Sequence, residues 1–179
     1  MLMHVNAKKM AVSGLLAAFS AVMLVMSSVI ETNSLLFICV ASFCVGITIR
    51  EWGVAFGFAF LIASTLINVL AAPNKFYCIT FAAMGIYLLL SEYLWERIAA
   101  RKEMKHRTLT LWIGKYLIFN LIYIPALLFF QDLLFVKKVT GILLAVFLLA
   151  GQIALIVYDK VYVYFQGVIW GKLRVRLLK

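Results

Sequence analysis

From Ser34 to Ala72 the chain reads SLLFICVASFCVGITI, then Arg50-Glu51-Trp52, then GVAFGFAFLIASTLINVLAA. As one helix this stretch would be far too long for a single crossing of a ~30 Å hydrocarbon layer. It would also hold an arginine at its centre, which costs about 2.5–3.5 kcal/mol on insertion scales. The stretch therefore reads as two crossings joined by a turn at Arg50-Glu51-Trp52. Extended outward, the same pattern of apolar runs between charges predicts six spans, at 10–30, 34–49, 53–72, 76–94, 109–130 and 139–158.

Composition agrees with that division. With 66% hydrophobic and 13% charged residues among 179, the chain lacks the polar surface of a water-soluble globule. In lipid every backbone amide must be bonded within the protein, which leaves helical bundles and closed barrels. Barrel strands would alternate inside and outside, and these runs are continuous. The predicted fold is all-α: a single polytopic domain, 1–179, of six transmembrane helices with short connections.

The cations are unevenly placed. The two termini and every second connection hold Lys8, Lys9, Arg50, Arg97, Arg101, Lys102, Lys105, Arg107, Lys160, Lys172, Arg174, Arg176 and Lys179. The other connections hold only Lys75, Lys137 and Lys138, and Lys115 lies within a span. Cationic loops resist translocation, so both termini are predicted to be cytoplasmic. Trp52, Trp95, Trp112 and Trp170 all fall at those same boundaries, where indoles favour the headgroup region. The net charge of +10 is explained by this topology and by attraction to anionic lipid of the inner leaflet, with no need of nucleic acid. Lys8 and Lys9 ahead of an apolar run imitate a secretory signal, but the run is long and no small-x-small cleavage site follows, so it reads as a retained first span.

The connections have their own signals. Glu31-Thr32-Asn33-Ser34 and Ala72-Pro73-Asn74-Lys75 read as short external turns, the second fixed by a proline that donates no backbone hydrogen bond. Arg97–Thr110 is a hydrophilic cytoplasmic stretch, Pro125 predicts a kink in span five, and Leu133–Val136 is apolar enough to lie along the external interface. Beyond Asp159 a tail at 160–179 carries Phe165, Ile169, Leu173 and Leu177 at four-residue spacing, with Lys172, Arg176 and Lys179 on a different side. That pattern predicts an amphipathic interfacial helix, although the alternation of Val161-Tyr162-Val163-Tyr164 obscures its start.

Two spans carry small residues at helical spacing. In span one Ser13, Ala17 and Ala21 form one row, with Gly14 and Ala18 beside it; in span three Gly53 and Gly57 make a GxxxG. Without bulky side chains another helix can approach such a face, either inside the bundle or from a separate membrane partner. Polar groups within or beside the spans come next. Asn33, Asn68, Asn74, Tyr77, Asn120, Tyr123 and Gln131 fall in the predicted outer half or its turns and together could line an outward-facing pocket for a small molecule. Alternatively, each amide bonds a neighbouring backbone and each tyrosine anchors at the interface. Lys115 is expected to snorkel inward or to pair with Glu92 or Glu96, and Gln152 to bridge helices.

No catalytic constellation is legible. His4 and His106 lie outside the spans, and no G-x-S-x-G, H-E-x-x-H, Walker motif or paired intramembrane carboxylates occur. Cys39, Cys44 and Cys78 sit in apolar runs with no C-x-x-C pair, as small hydrophobes rather than metal ligands. No cofactor, metal or catalytic residue is expected.

A six-helix layout of this length with a basic start and a first span reading Ala11-Val12-Ser13-Gly14-Leu15-Leu16-Ala17-Ala18-Phe19-Ser20-Ala21 resembles the substrate-binding S component of energy-coupling factor (ECF) transporters. In that family an A-x-x-x-A face on the first helix contacts a transmembrane coupling protein; Ala17 and Ala21 match it, extended by Ser13. The resemblance implies a bacterial cytoplasmic-membrane protein that binds a vitamin-like micronutrient outside, docks on a coupling protein driven by two cytoplasmic ATPase subunits, and reorients to release. In size and span number the chain is also similar to the rod-shape factor MreD, which would imply a non-catalytic scaffold. A small transporter subunit of another kind is the third possibility.

Overall fold

The computed structural model describes residues 7–100, 106–129 and 141–177. The helices are α1 (Ala7–Val29), α2 (Ser34–Trp52), α3 (Val54–Ala71), α4 (Lys75–Ala100), α5 (Arg107–Phe129), α6 (Gly141–Tyr164) and α7 (Gly171–Leu177). A 3₁₀ turn, Glu31–Asn33, precedes α2, and a π-helical segment, Phe165–Trp170, joins α6 to α7. No strand occurs among the described residues. Six helices are long and apolar enough to cross a membrane, which makes this a multi-pass membrane protein. Leu70 is 87% exposed and Leu121 76%, surfaces that hydrocarbon accommodates and water would penalise.

Two compact units form: Met1–Tyr93 with Gln166–Lys179, and Leu94–Phe165. In the first, α1, α2 and α3 pack on one another. Helix α2 is its axis, with every residue from Ala41 to Ile49 buried, as an all-round apolar helix at the centre of a bundle should be. Helix α1 faces this core with Val12, Ser13, Leu16, Ala17, Ser20, Leu24 and Ser27, repeating every three or four residues. The hydroxyls of α1 and α2 in this core are satisfied locally: Ser20 donates to the Ala17 carbonyl at 2.9 Å, Ser27 to Leu24 at 2.7 Å, Thr48 to Val45 at 2.7 Å. Such back-bonding lets a serine occupy an apolar interior without a distant partner.

The α2–α3 turn differs from expectation by a residue or two. Arg50, Glu51 and Trp52 remain in the last turn of α2, and the chain reverses at Gly53, whose φ of 88° and ψ of 166° suit glycine alone. The expected GxxxG therefore divides into two roles. Gly53 makes the turn; Gly57 faces Ile49, where an added Cβ would meet the Ile49 Cγ1 and stand 3.2 Å from its Cα. A second glycine, Gly85 of α4, faces the Leu61 side chain in the same way. The Ala72-Pro73-Asn74 turn and the Glu31–Asn33 turn occur where the sequence places them.

In the second unit α5 packs on α6, and α5 continues through Pro125. Helix α4 runs on to Ala100, beyond the expected end of span four. Helix α6 does not stop at Asp159. It continues to Tyr164 and passes through the π segment into α7, because its one internal acid is neutralised in place. The expected tail helix is thus an extension of the last span, and Gln166 and Trp170 are its buried residues. Ile169 and Leu173 of the expected apolar row are exposed. The stretch Leu133–Val136 lies outside the described residues.

Gly57→Leu is expected to lower stability by roughly 1–3 kcal/mol through overpacking against the α2 backbone. The check is thermal unfolding in detergent, with Gly14→Leu as control, since nothing lies within 4 Å of a Cβ there.

Candidate functional site

Of the expected pocket residues in the first unit, Asn68, Asn74 and Tyr77 lie at the end of α3 and the start of α4, and Asn33 lies on the turn before α2. The buried face of α3 is Gly57, Phe60, Leu61, Ser64 and Asn68, so Asn68 closes a stripe that otherwise packs the core. Its carbonyl accepts from the Ala72 amide at 2.8 Å and from the Cys78 thiol at 3.3 Å, which ties the last turn of α3 to the start of α4. Its side chain is 0% exposed, and neither Nδ2 nor Oδ1 meets a hydrogen-bonding group among the described residues. An orphaned buried amide costs about 1–3 kcal/mol, and lipid supplies no substitute. Gln166 shares this state among the described residues, and Asn68 is the expected pocket residue whose purpose the packing alone leaves unexplained.

Its neighbours in the expected set have structural work. Asn74 Oδ1 accepts from the Phe76 amide at 3.0 Å and so caps the start of α4. Lys75 Nζ donates to the Val69 carbonyl at 2.5 Å and the Ala72 carbonyl at 3.0 Å, which satisfies the C-terminal carbonyls of α3. Tyr77 is half-buried in the first turn of α4, and Asn33 is exposed on the 3₁₀ turn without capping α2 by its side chain. Gln131 lies outside the described residues.

In the second unit Asn120 and Tyr123 prove to be bridging groups. Gln152 Nε2 donates to Asn120 Oδ1 at 2.8 Å, while Asn120 Nδ2 donates to the Tyr116 carbonyl at 2.9 Å. Tyr123 Oη donates to the Phe147 carbonyl at 2.8 Å, and its ring occupies the space a Cβ on Gly151 would need. Further along the same pair of helices, Lys115 Nζ lies 2.5 Å from Asp159 Oδ1, both side chains being largely buried. Lys115 therefore pairs with Asp159, where the sequence suggested Glu92 or Glu96. The expected bridging by Gln152 is found. These three rungs fix the register of the α5–α6 hairpin.

The acids of the first unit were not singled out in the sequence as site residues, and they organise its basic end. Arg50 Nη2 lies 2.6 Å from Glu92 Oε1, with the Glu92 side chain 7% exposed. Glu51, its side chain equally buried, accepts from Trp170 Nε1–H at 2.9 Å, and Arg174 Nε lies 3.1 Å from the same oxygen, Oε1, as an ion pair. Lys9 Nζ stands 3.9 Å from the centroid of the Phe56 ring and 5.7 Å from that of Trp52, a cation–π contact. The available signal was simple: an acid beside an apolar run, in a chain with seven acids and 17 cations, needs a cation.

The docking residues expected on α1 divide by exposure. Ser13 and Ala17 are buried in the bundle, and Ser13 Oγ donates to the Lys9 carbonyl. Gly14 and Ala18 are exposed, and Ala21 is half-buried between the two rows. The matched A-x-x-x-A row therefore lies partly inside the protein, and the row beside it faces outward. Among the described residues no three His, Cys, Asp or Glu side chains come close enough to hold a metal ion.

Two substitutions test these assignments. Asn68→Leu removes the orphaned amide and is expected to raise stability by roughly 1–3 kcal/mol, measured as thermal unfolding without ligand. Lys115→Met is expected to cost roughly 3 kcal/mol by stranding Asp159, and Lys115→Met with Asp159→Leu to recover most of it, in the same measurement. No protein-family model, curated protein or solved structure matches this chain.

Proposed function

We propose that this chain is a non-catalytic, substrate-binding membrane subunit for uptake of a vitamin-like small molecule, worked by separate coupling and ATPase subunits. The observation that carries this proposal is Asn68, a fully buried amide with both polar atoms unpartnered among the described residues, at the end of α3 assigned to the outer half by the charge pattern. A ligand that supplies a donor and an acceptor would offset the cost of burying that amide. The membrane proposed is the bacterial cytoplasmic one; the cation distribution supports both termini inside, and the outward row Gly14–Ala18 supports close approach of a partner helix on α1.

A second proposal, a membrane scaffold of the MreD kind, is favoured by the α5–α6 hairpin. There the expected pocket residues Asn120 and Tyr123 are spent on internal bonds, as a purely structural bundle would spend them.

A thermal-shift screen of the purified protein against a vitamin panel separates the two. A ligand that binds only the folded state stabilises it by RT ln(1+[L]/Kd), about 2.7 kcal/mol at one hundred times Kd. One vitamin is expected to raise the unfolding temperature of the wild type and to leave Asn68→Leu unmoved. A flat response across the panel, with a cell-shape defect on depletion, would favour the scaffold.

A further inference from the structure

The C-terminal segment returns to the first unit, and what holds it there is concentrated on one atom. Glu51 Oε1 accepts the Trp170 indole N–H and forms an ion pair with the Arg174 Nε. Trp170 is 4% exposed and Gln166 5%, so one side of the segment is packed inward. The π segment carries the chain from the buried Gln166 to the buried Trp170, and one α-helical turn further on Arg174 reaches the same residue of α2, Glu51, as Trp170 does.

The remaining surface of the segment has a different composition. Val168, Ile169, Leu173 and Val175 are exposed, as are Lys172 and Arg174. Consecutive helical residues stand about 100° apart around the axis. Lys172 and Arg174 therefore flank the exposed Leu173 on either side. The Arg174 side chain stays 61% exposed while its Nε lies 3.1 Å from Glu51 Oε1, so it is open to a second partner. Ile169 and Leu173, four apart, form an exposed apolar ridge with Lys172 and Arg174 on its two sides, which matches a membrane interface: acyl chains take the ridge and headgroups the borders.

We infer that Gln166–Val175 is a strap, latched to the first unit by Glu51 and Trp170, whose Lys172 and Arg174 engage the phosphate of an anionic lipid headgroup. This rests on the proposed cytoplasmic placement of the tail, where the anionic leaflet lies, and on no property of the Asn68 site. Arg174 has two partners at once: a carboxylate of its own chain and a phosphate of the bilayer. The strap is held firmly only when both are present.

The test uses the full-length protein in nanodiscs of phosphatidylcholine alone or with phosphatidylglycerol added. Chymotrypsin cuts after Trp170 and Leu173 and needs neither cation, so strap release is read as the rate of cleavage there. Phosphatidylglycerol is expected to slow cleavage of the wild type, by roughly five-fold for each cation engaged. That dependence should vanish in Lys172→Gln with Arg174→Gln, and inorganic phosphate added to phosphatidylcholine discs should not reproduce it. Glu51→Gln is expected to speed cleavage in phosphatidylcholine; Trp170→Phe serves the same purpose if Glu51→Gln does not fold. Equal rates in the two lipids for the wild type, or a lipid effect that survives loss of both cations, would overturn the strap. Nanodiscs expose both faces, so a wrong assignment of the cytoplasmic side does not alter this outcome, and a blank vitamin screen does not either.

Discussion

Hydrocarbon gives a side chain no hydrogen bond to fall back on, and that constraint determines where most polar groups of this protein are found. Backbone amides close on themselves in helices. Serine and threonine hydroxyls of the core turn back on their own carbonyls. The acids Glu51, Glu92 and Asp159 each take a cation supplied by a distant part of the chain. Pairs of this kind contribute little net stability, since the desolvation of two charges offsets their attraction. Their effect is on specificity: a slipped register would strand a charge, so the registered arrangement is the one that persists.

Much of the fold was legible in the sequence because span length is set by bilayer thickness, and the runs of apolar residues are interrupted by charges at that interval. The misreadings share a cause. Arg50 and Glu51 looked like a turn because charged residues are costly inside lipid, but each has a partner and so remains helical, and the reversal falls to Gly53. Asp159 looked like the end of a span for the same reason, and Lys115 removes the reason. A partner forty or more residues away leaves no trace in local pattern.

The polar residues grouped as a pocket show the same limit. Asn120 and Tyr123 resemble ligand-binding groups by type and depth, yet Gln152 and the Phe147 carbonyl consume them. Asn74 and Lys75 are turn chemistry, legible in retrospect as a cap next to a proline. Asn68 alone of the described set is both buried and unspent, a distinction that depends on three-dimensional surroundings. The small residues of α1 divide similarly: periodicity found both rows, and only packing decides that Ser13 and Ala17 face the core while Gly14 and Ala18 face out.

The Tyr123 ring seated over Gly151 bears on how the second unit moves. A phenol lodged in a notch resists sliding of one helix along the other, and the bonds at either side of it, to Phe147 and between Asn120 and Gln152, resist twisting. Helices α5 and α6 are thereby coupled into a single lever. Any rearrangement within this unit would tilt the pair as a rod, with bending confined to its ends.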